Sequence, residues 1–135
     1  MPFSTTEAFI AAAESQLGAR LPHAFRTYLI TSNGGEIDAA NDSWLIHPVF
    51  DATDRKRAAR SASHIVHETQ QARSWRGFPP RGVAFASNGS GDHLVFMPDP
   101  QETGQLGSAV FLWQHETASL TQVAEAFDDL QCGVS

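Results

Sequence analysis

Glu14-Ser15-Gln16-Leu17-Gly18-Ala19-Arg20-Leu21-Pro22-His23-Ala24-Phe25-Arg26-Thr27-Tyr28-Leu29-Ile30-Thr31-Ser32-Asn33-Gly34-Gly35 reads as one helix ending, a restart and a second short helix that stops. Gly18 supplies the left-handed residue that ends a helix. Pro22 stands where a new helix takes its first residue, because its missing N–H costs nothing there. Phe25, Tyr28 and Leu29 form the apolar stripe of that second helix. Asn33-Gly34-Gly35 then terminates it with residues that tolerate positive φ.

Upstream, Ser4-Thr5-Thr6-Glu7 has the pattern of a capping box, with Ile10, Ala13 and Leu17 following at helical spacing. Downstream, Trp44-Leu45-Ile46 is a short strand signal closed by Pro48. From Asp54 to Ser74 the spacing of Ala58, Ala62, Ile65, Thr69 and Ala72 predicts one further helix, broken by Phe78-Pro79-Pro80. Val83 to Ala86, Leu94 to Met97 and Ala109 to Trp113 predict three strands. Ser119-Leu120-Thr121-Gln122 repeats the capping-box pattern, and Leu120, Val123, Ala124, Phe127 and Leu130 predict a final helix against the sheet. The order is αα-β-α-βββ-α: an α+β class in which a mostly antiparallel sheet packs against helices.

The 135 residues suit one domain, 1–135, large enough to bury a core without staples. No run reaches the length of a membrane span, and Met1-Pro2-Phe3-Ser4 lacks the pattern of a secretory leader. Cys132 is the only cysteine, so no internal disulfide is possible, and a cytoplasmic setting is expected. Cys132 is read as incidental, near a frayed terminus.

Charge is blocked along the chain. Residues 55–81 hold seven of the nine basic residues, whereas 82–135 hold none and carry seven acidic ones. The formal net charge of −6 disfavours nucleic acid and lipid phosphates and favours basic proteins.

With these elements in place, the chain resembles the SUKH superfamily of Smi/Knr-type cell-wall regulators and bacterial immunity proteins. The residues that carry the likeness are Leu17-Gly18, Leu21-Pro22, Phe25 with Tyr28-Leu29, and Asn33-Gly34-Gly35. Further on they are Gly91-Asp92 before Leu94-Val95-Phe96, then Val110-Phe111-Leu112-Trp113 with His115-Glu116, and Ala126-Phe127-Asp128-Asp129-Leu130, where Ala126 stands in place of the usual serine. The resemblance implies a mixed sheet packed with helices and a protein that binds another protein without catalysing a reaction. For bacterial members it implies an antidote to a cognate toxin, often a nuclease; for the cell-wall type it implies a regulatory scaffold for endogenous signalling proteins. Toxin-contact residues vary within the family, so none carries over.

The candidate chemistry is sparse. His64 and His67 share a helix face, but their spacing lacks the four-residue step and intervening Glu of a zinc-protease helix, so no metal and no cofactor is expected. Asn88-Gly89-Ser90-Gly91-Asp92 is glycine-rich but lacks the Lys-Ser/Thr of a phosphate loop and precedes a strand, so Asp92 is read as a turn cap, with a place near the binding face as the alternative. No Gly-x-Ser-x-Gly elbow exists. Arg55-Lys56-Arg57 with Arg60 is the best nucleic-acid signal, but the flanking acidity favours a solvated helix face.

The binding candidates are therefore acidic. Glu36, Asp38 and Asp42 follow the Asn-Gly-Gly stop in what reads as a loop, and Asp92, Asp99, Glu102 and Glu116 lie in or beside later strand connections. If these loops met at one edge, the patch would steer a basic partner such as a nuclease toxin. Trp44 and Trp113 sit in apolar strand patterns and are expected in the core, whereas Trp75, between Arg73 and Arg76, is expected at the surface as an interface residue.

Overall fold

The computed structural model describes residues 3–132, of the last two only the backbone. Helices α1 (Glu7–Leu17) and α2 (His23–Thr31) precede a hairpin of β1 (Glu36–Ala39) and β2 (Asp42–Ile46). Helices α3 (Arg55–Arg60) and α4 (Ile65–Arg73) lead to β3 (Val83–Ser87), β4 (His93–Pro98), β5 (Leu106–Gln114) and β6 (Ser119–Ala124). A 3-10 turn, Phe127–Asp129, and the short β7 (Gln131–Cys132) close the chain. The strands form one sheet in the order β6-β5-β4-β3-β2-β1-β7, with antiparallel neighbours throughout. The α+β class with a mostly antiparallel sheet is thus the observed one.

The opening stretch folds as its residues dictate, with one addition. Gly18 takes φ 77° and its N–H donates to the Glu14 carbonyl, ending α1. Pro22 is the residue before the first helical turn of α2. The addition is the Glu14 side chain, only 9% exposed, which accepts from the Leu21 N–H at 2.7 Å and from Arg26 Nε at 2.9 Å. It satisfies an N–H beside the start of α2 that would otherwise be left unpaired. Asn33 is not left-handed; Gly34 and Gly35 are. The Asn33 amide instead exchanges two 2.9 Å hydrogen bonds with the backbone of Val49, tying the end of α2 to the segment after β2.

Phe25 stands at the centre of the larger core, with its ring centroid 5.2 Å from Phe85, 5.3 Å from Phe96 and 5.0 Å from Phe127. Ile10, Leu29, Ile37, Trp44 and Ile46 complete this face. The opposite face carries a smaller cluster of Ala72, Phe78, Ala84, Val95 and Trp113. Between them, the buried Thr69 hydroxyl accepts from the Ala84 N–H at 3.1 Å and donates to the Ala84 carbonyl at 3.3 Å. It covers the part of β3 that β2 is too short to pair, which leaves no orphaned backbone there.

Four expectations are corrected. Ser4 does not cap α1: Thr6 is the N-cap without a side-chain bond, and Thr5 donates instead to the buried Asp51 at 2.7 Å. The single helix expected over 54–74 is two, because Asp54 caps α3 by accepting from the Arg57 N–H, and His64 restarts α4 by accepting from the His67 N–H. Glu36, Asp38 and Asp42 lie in strands rather than a loop. The hairpin turns on Ala40 and Asn41, at φ 50° and 62°, the geometry that matches strand twist, but without the glycine that usually announces it. The final helix is replaced by β6 and the 3-10 turn, because residues 119–124 pair along β5, and Phe127 is buried in the core with Val123, Ala124 and Leu130 packed against it. A four-residue capping pattern is a weak local preference that the sheet overrides.

Candidate functional site

Strand direction sorts the acidic candidates. The β1–β2, β3–β4 and β5–β6 turns all lie at one end of the sheet, since Ala39 pairs with Asp42, Ser87 with His93 and Gln114 with Ser119. Asp38, Asp42, Asp92 and Glu116 belong to this end, whereas Asp99 and Glu102 lie in the β4–β5 loop at the other end. Glu36 pairs with Leu45, Leu45 with Ser87 and Ser87 with His93, so Glu36 stands level with the base of the β3–β4 turn, on the shared end. The seven carboxylates therefore do not form one patch: Glu36, Asp38, Asp42, Asp92 and Glu116 lie toward one end, and Asp99 and Glu102 lie at the other.

Hydrogen bonds knit the shared end together. Asn88 Nδ2 donates to Asp42 Oδ2 at 2.9 Å, joining the first two turns. Asp92 Oδ1 accepts from the His115 N–H at 3.1 Å and lies 2.7 Å from His115 Nδ1, joining the second and third. Burial works against ionisation of Asp92, but the bonds from the His115 ring and backbone outweigh it and hold the carboxyl below its ordinary value. Gly91 is needed here twice over. Its φ is 104°, and a Cβ would lie 2.9 Å from His115 Nδ1.

Trp75 completes this end. It is 49% exposed and stands edge-on to His115, with ring centroids 5.8 Å apart. Trp44 and Trp113 are buried, at 1% and 0% exposure. An exposed indole beside carboxylates is the composition of an interface anchor with a polar rim.

A second feature was not legible in the sequence. A groove of about 560 Å³ opens between α3 and the uncovered part of β1–β2, lined by Leu45, Glu36, Arg57, Arg60, His47 and Glu68 among others. Leu45 is 59% exposed on its floor. Helix α3 buries no residue, and both Arg57 and Arg60 lie over the Phe3 ring, 4.6 and 4.8 Å from its centroid. Arg57 also pairs with Asp54 at 2.7 Å, so part of the basic block serves the fold itself.

The histidines have structural roles. His64 is the cap of α4, and His67 Nε2 lies 3.2 Å from Gln71. His47 and His93 are buried neighbours with centroids 6.5 Å apart, and His47 Nε2 and His93 Nδ1 have no hydrogen-bond partner among the described residues. Burial, with the charge of His93 second, pushes His47 down to about 3; burial also lowers His93. Among the described residues, no group of three or more His, Cys, Asp or Glu is arranged to hold a metal ion. The Cys132 side chain lies outside the described residues. No helix among them is long and apolar enough to cross a membrane.

No curated relative matches the chain at a significant level. The family profile described as SMI1 / KNR4 family (SUKH-1) matches residues 4–131, from the residue before Thr5 to the first residue of β7. That span takes in the Leu-Pro restart, the Asn-Gly-Gly stop, the Gly91-Asp92 turn and the Phe127 turn, so the chain belongs to the SMI1 / KNR4 family, SUKH-1.

Proposed function

We propose that this chain is a non-catalytic, cytoplasmic immunity-type protein that binds a cognate bacterial toxin and blocks it by occlusion. The observation that carries this reading is Trp75, half-exposed on the His115 ring at the end of the sheet that also holds Asp38, Asp42, Asp92 and Glu116. The indole supplies a rigid apolar anchor, and the carboxylates favour a basic partner, as many nucleases are. A standard interface buries about 1,600 Å² in total, which one end of a domain this size can provide. Asp99 and Glu102 lie too far round the sheet to join the same contact.

The test is co-expression with the toxin encoded beside this gene. Rescue of growth and a stable complex support the reading; toxicity unrelieved, with no complex, removes it. The family description itself favours a second reading, a regulatory scaffold of the Smi/Knr type. On that reading the neighbouring gene encodes no toxin, and defined endogenous signalling proteins bind the purified chain instead.

A further inference from the structure

Strand β6 is the last of the sheet, and it pairs only with β5. Its outer backbone groups face solvent, and Leu120, Thr121 and Gln122 are exposed. Natural sheets blunt such an edge with lysine, proline or an inward charge. Ser119-Leu120-Thr121-Gln122-Val123-Ala124 has none of these. Among the described residues the opposite edge ends in β7, two residues long, too few to template a partner.

We infer that two copies of this chain pair β6 to β6, antiparallel about a two-fold axis at Leu120, into one continuous sheet. The occupant follows from the strand's own sequence. In an acidic molecule most like-to-like contacts repel, but β6 is an uncharged strip in a region that contains no Lys or Arg. Residues opposite each other in an antiparallel pair share a face. A register centred on Leu120 therefore sets Leu120 against Leu120 of the second copy, covering a side chain that is 38% exposed in one copy. The same register sets Thr121 against Ser119 twice, on the other face. Ser119 Oγ donates to Gln114 Oε1 at 3.2 Å and accepts from Thr117 Oγ1 at 2.8 Å, which leaves one lone pair able to accept from the Thr121 hydroxyl of the second copy. The partner fits by backbone pairing, apolar against apolar and hydroxyl against hydroxyl. The pairing is regular over Ser119–Gln122, because the bulge between Val110 and Phe111 falls beyond it. A two-fold there, beside the β5–β6 turn, brings the Trp75 ends of the copies close to the axis, pointing in opposite directions along the strands.

Sedimentation velocity from micromolar to submillimolar concentration tests this. The wild type is expected to shift from 14.7 kDa toward twice that mass, and Leu120→Lys and Thr121→Lys to weaken association at least tenfold. Unchanged far-UV circular dichroism and melting of the two variants separate this from misfolding. The register is read by cysteine cross-linking in a Cys132→Ser background. Opposed Leu120→Cys residues lie about 5 Å apart between Cα atoms and should oxidise to a covalent dimer. Gln122→Cys residues fall about 13 Å apart along the strands and should not. A wild type that stays monomeric at submillimolar concentration overturns the inference, as does cross-linking at Gln122→Cys that matches or exceeds Leu120→Cys.

Discussion

Asp92 and His115, 23 residues apart, join the β3–β4 turn to the β5–β6 turn through both the ring and the backbone N–H of the histidine. The aspartate that resembles a family signature is, in this chain, a staple beneath the exposed Trp75. Asp92→Ala should lower stability by about 1–2 kcal/mol in urea unfolding. Because the folded carboxyl titrates below its ordinary value, its contribution is complete above about pH 4 and is lost as pH falls through the folded value. The wild type and the variant should therefore converge in strong acid, and a gap that stays constant would contradict the pairing.

Gly91 and Gly89 sit in the same loop and both have positive φ, but only Gly91 faces a ring. Gly89→Ala meets nothing within 4 Å and should cost about 1–2 kcal/mol, the backbone term alone. Gly91→Ala must also displace His115 and should cost at least about 1 kcal/mol more. Equal melting temperatures for the two variants would show that the His115 ring does not constrain Gly91.

Removing Glu14 should be more damaging than any surface ion pair. Glu14→Ala leaves the Leu21 N–H buried without a partner and strips Arg26 of one of two carboxylates. We expect a loss of about 2–4 kcal/mol by chemical denaturation. Glu7→Ala removes only the exposed partner of Arg26 and should cost under about 1 kcal/mol. The ratio between the two is the readout.

Acid should weaken this fold well before its carboxylates titrate. His47 drops from 6.5 to about 3 on folding, so the unfolded chain binds the proton first. Stability is thus full above about pH 6.5 and declines below it, by up to about 1.4 kcal/mol per pH unit from this group. His93 adds in the same direction. Urea midpoints measured between about pH 7 and about pH 5 should fall in the wild type and fall less in His47→Phe. A flat wild-type profile would mean that neither ring is buried neutral.

Trp75→Ala should separate binding from folding. The side chain is half-exposed and its removal should change the melting temperature little, while affinity for the protein partner recovered in the co-expression test drops at least tenfold, about 1.4 kcal/mol. Asp42→Asn and Glu116→Gln should chiefly slow association and reduce its salt dependence, measured by stopped flow. Full affinity in Trp75→Ala would move the contact elsewhere.

Where local chemistry is decisive, the residues announced the structure. Gly18 and Pro22 marked the end of the first helix and the start of the second because backbone freedom at those positions is set by the residue itself, whereas α2 ends at Ser32, ahead of the left-handed Gly34 and Gly35. Runs of β-branched and aromatic residues announced β3 to β5, and Trp75 between two arginines announced its own exposure. The β1–β2 hairpin stayed hidden because Ala40 and Asn41 adopt left-handed φ without a glycine.

Long-range contacts decided the rest. Ser119–Ala124 has the opening pattern of a helix, yet the strand beside it supplies pairing partners that no local window contains. The acidic residues were all legible as acidic, but which of them share an end depended on strand direction, and that is a property of the assembled sheet. The sequence by itself determined the punctuation of the helices, the strand cores and the charge pattern. Tertiary structure alone decided that Glu14 caps Leu21, that Asp92 reaches His115, and that a groove opens beside α3, because each needs two distant segments brought into contact.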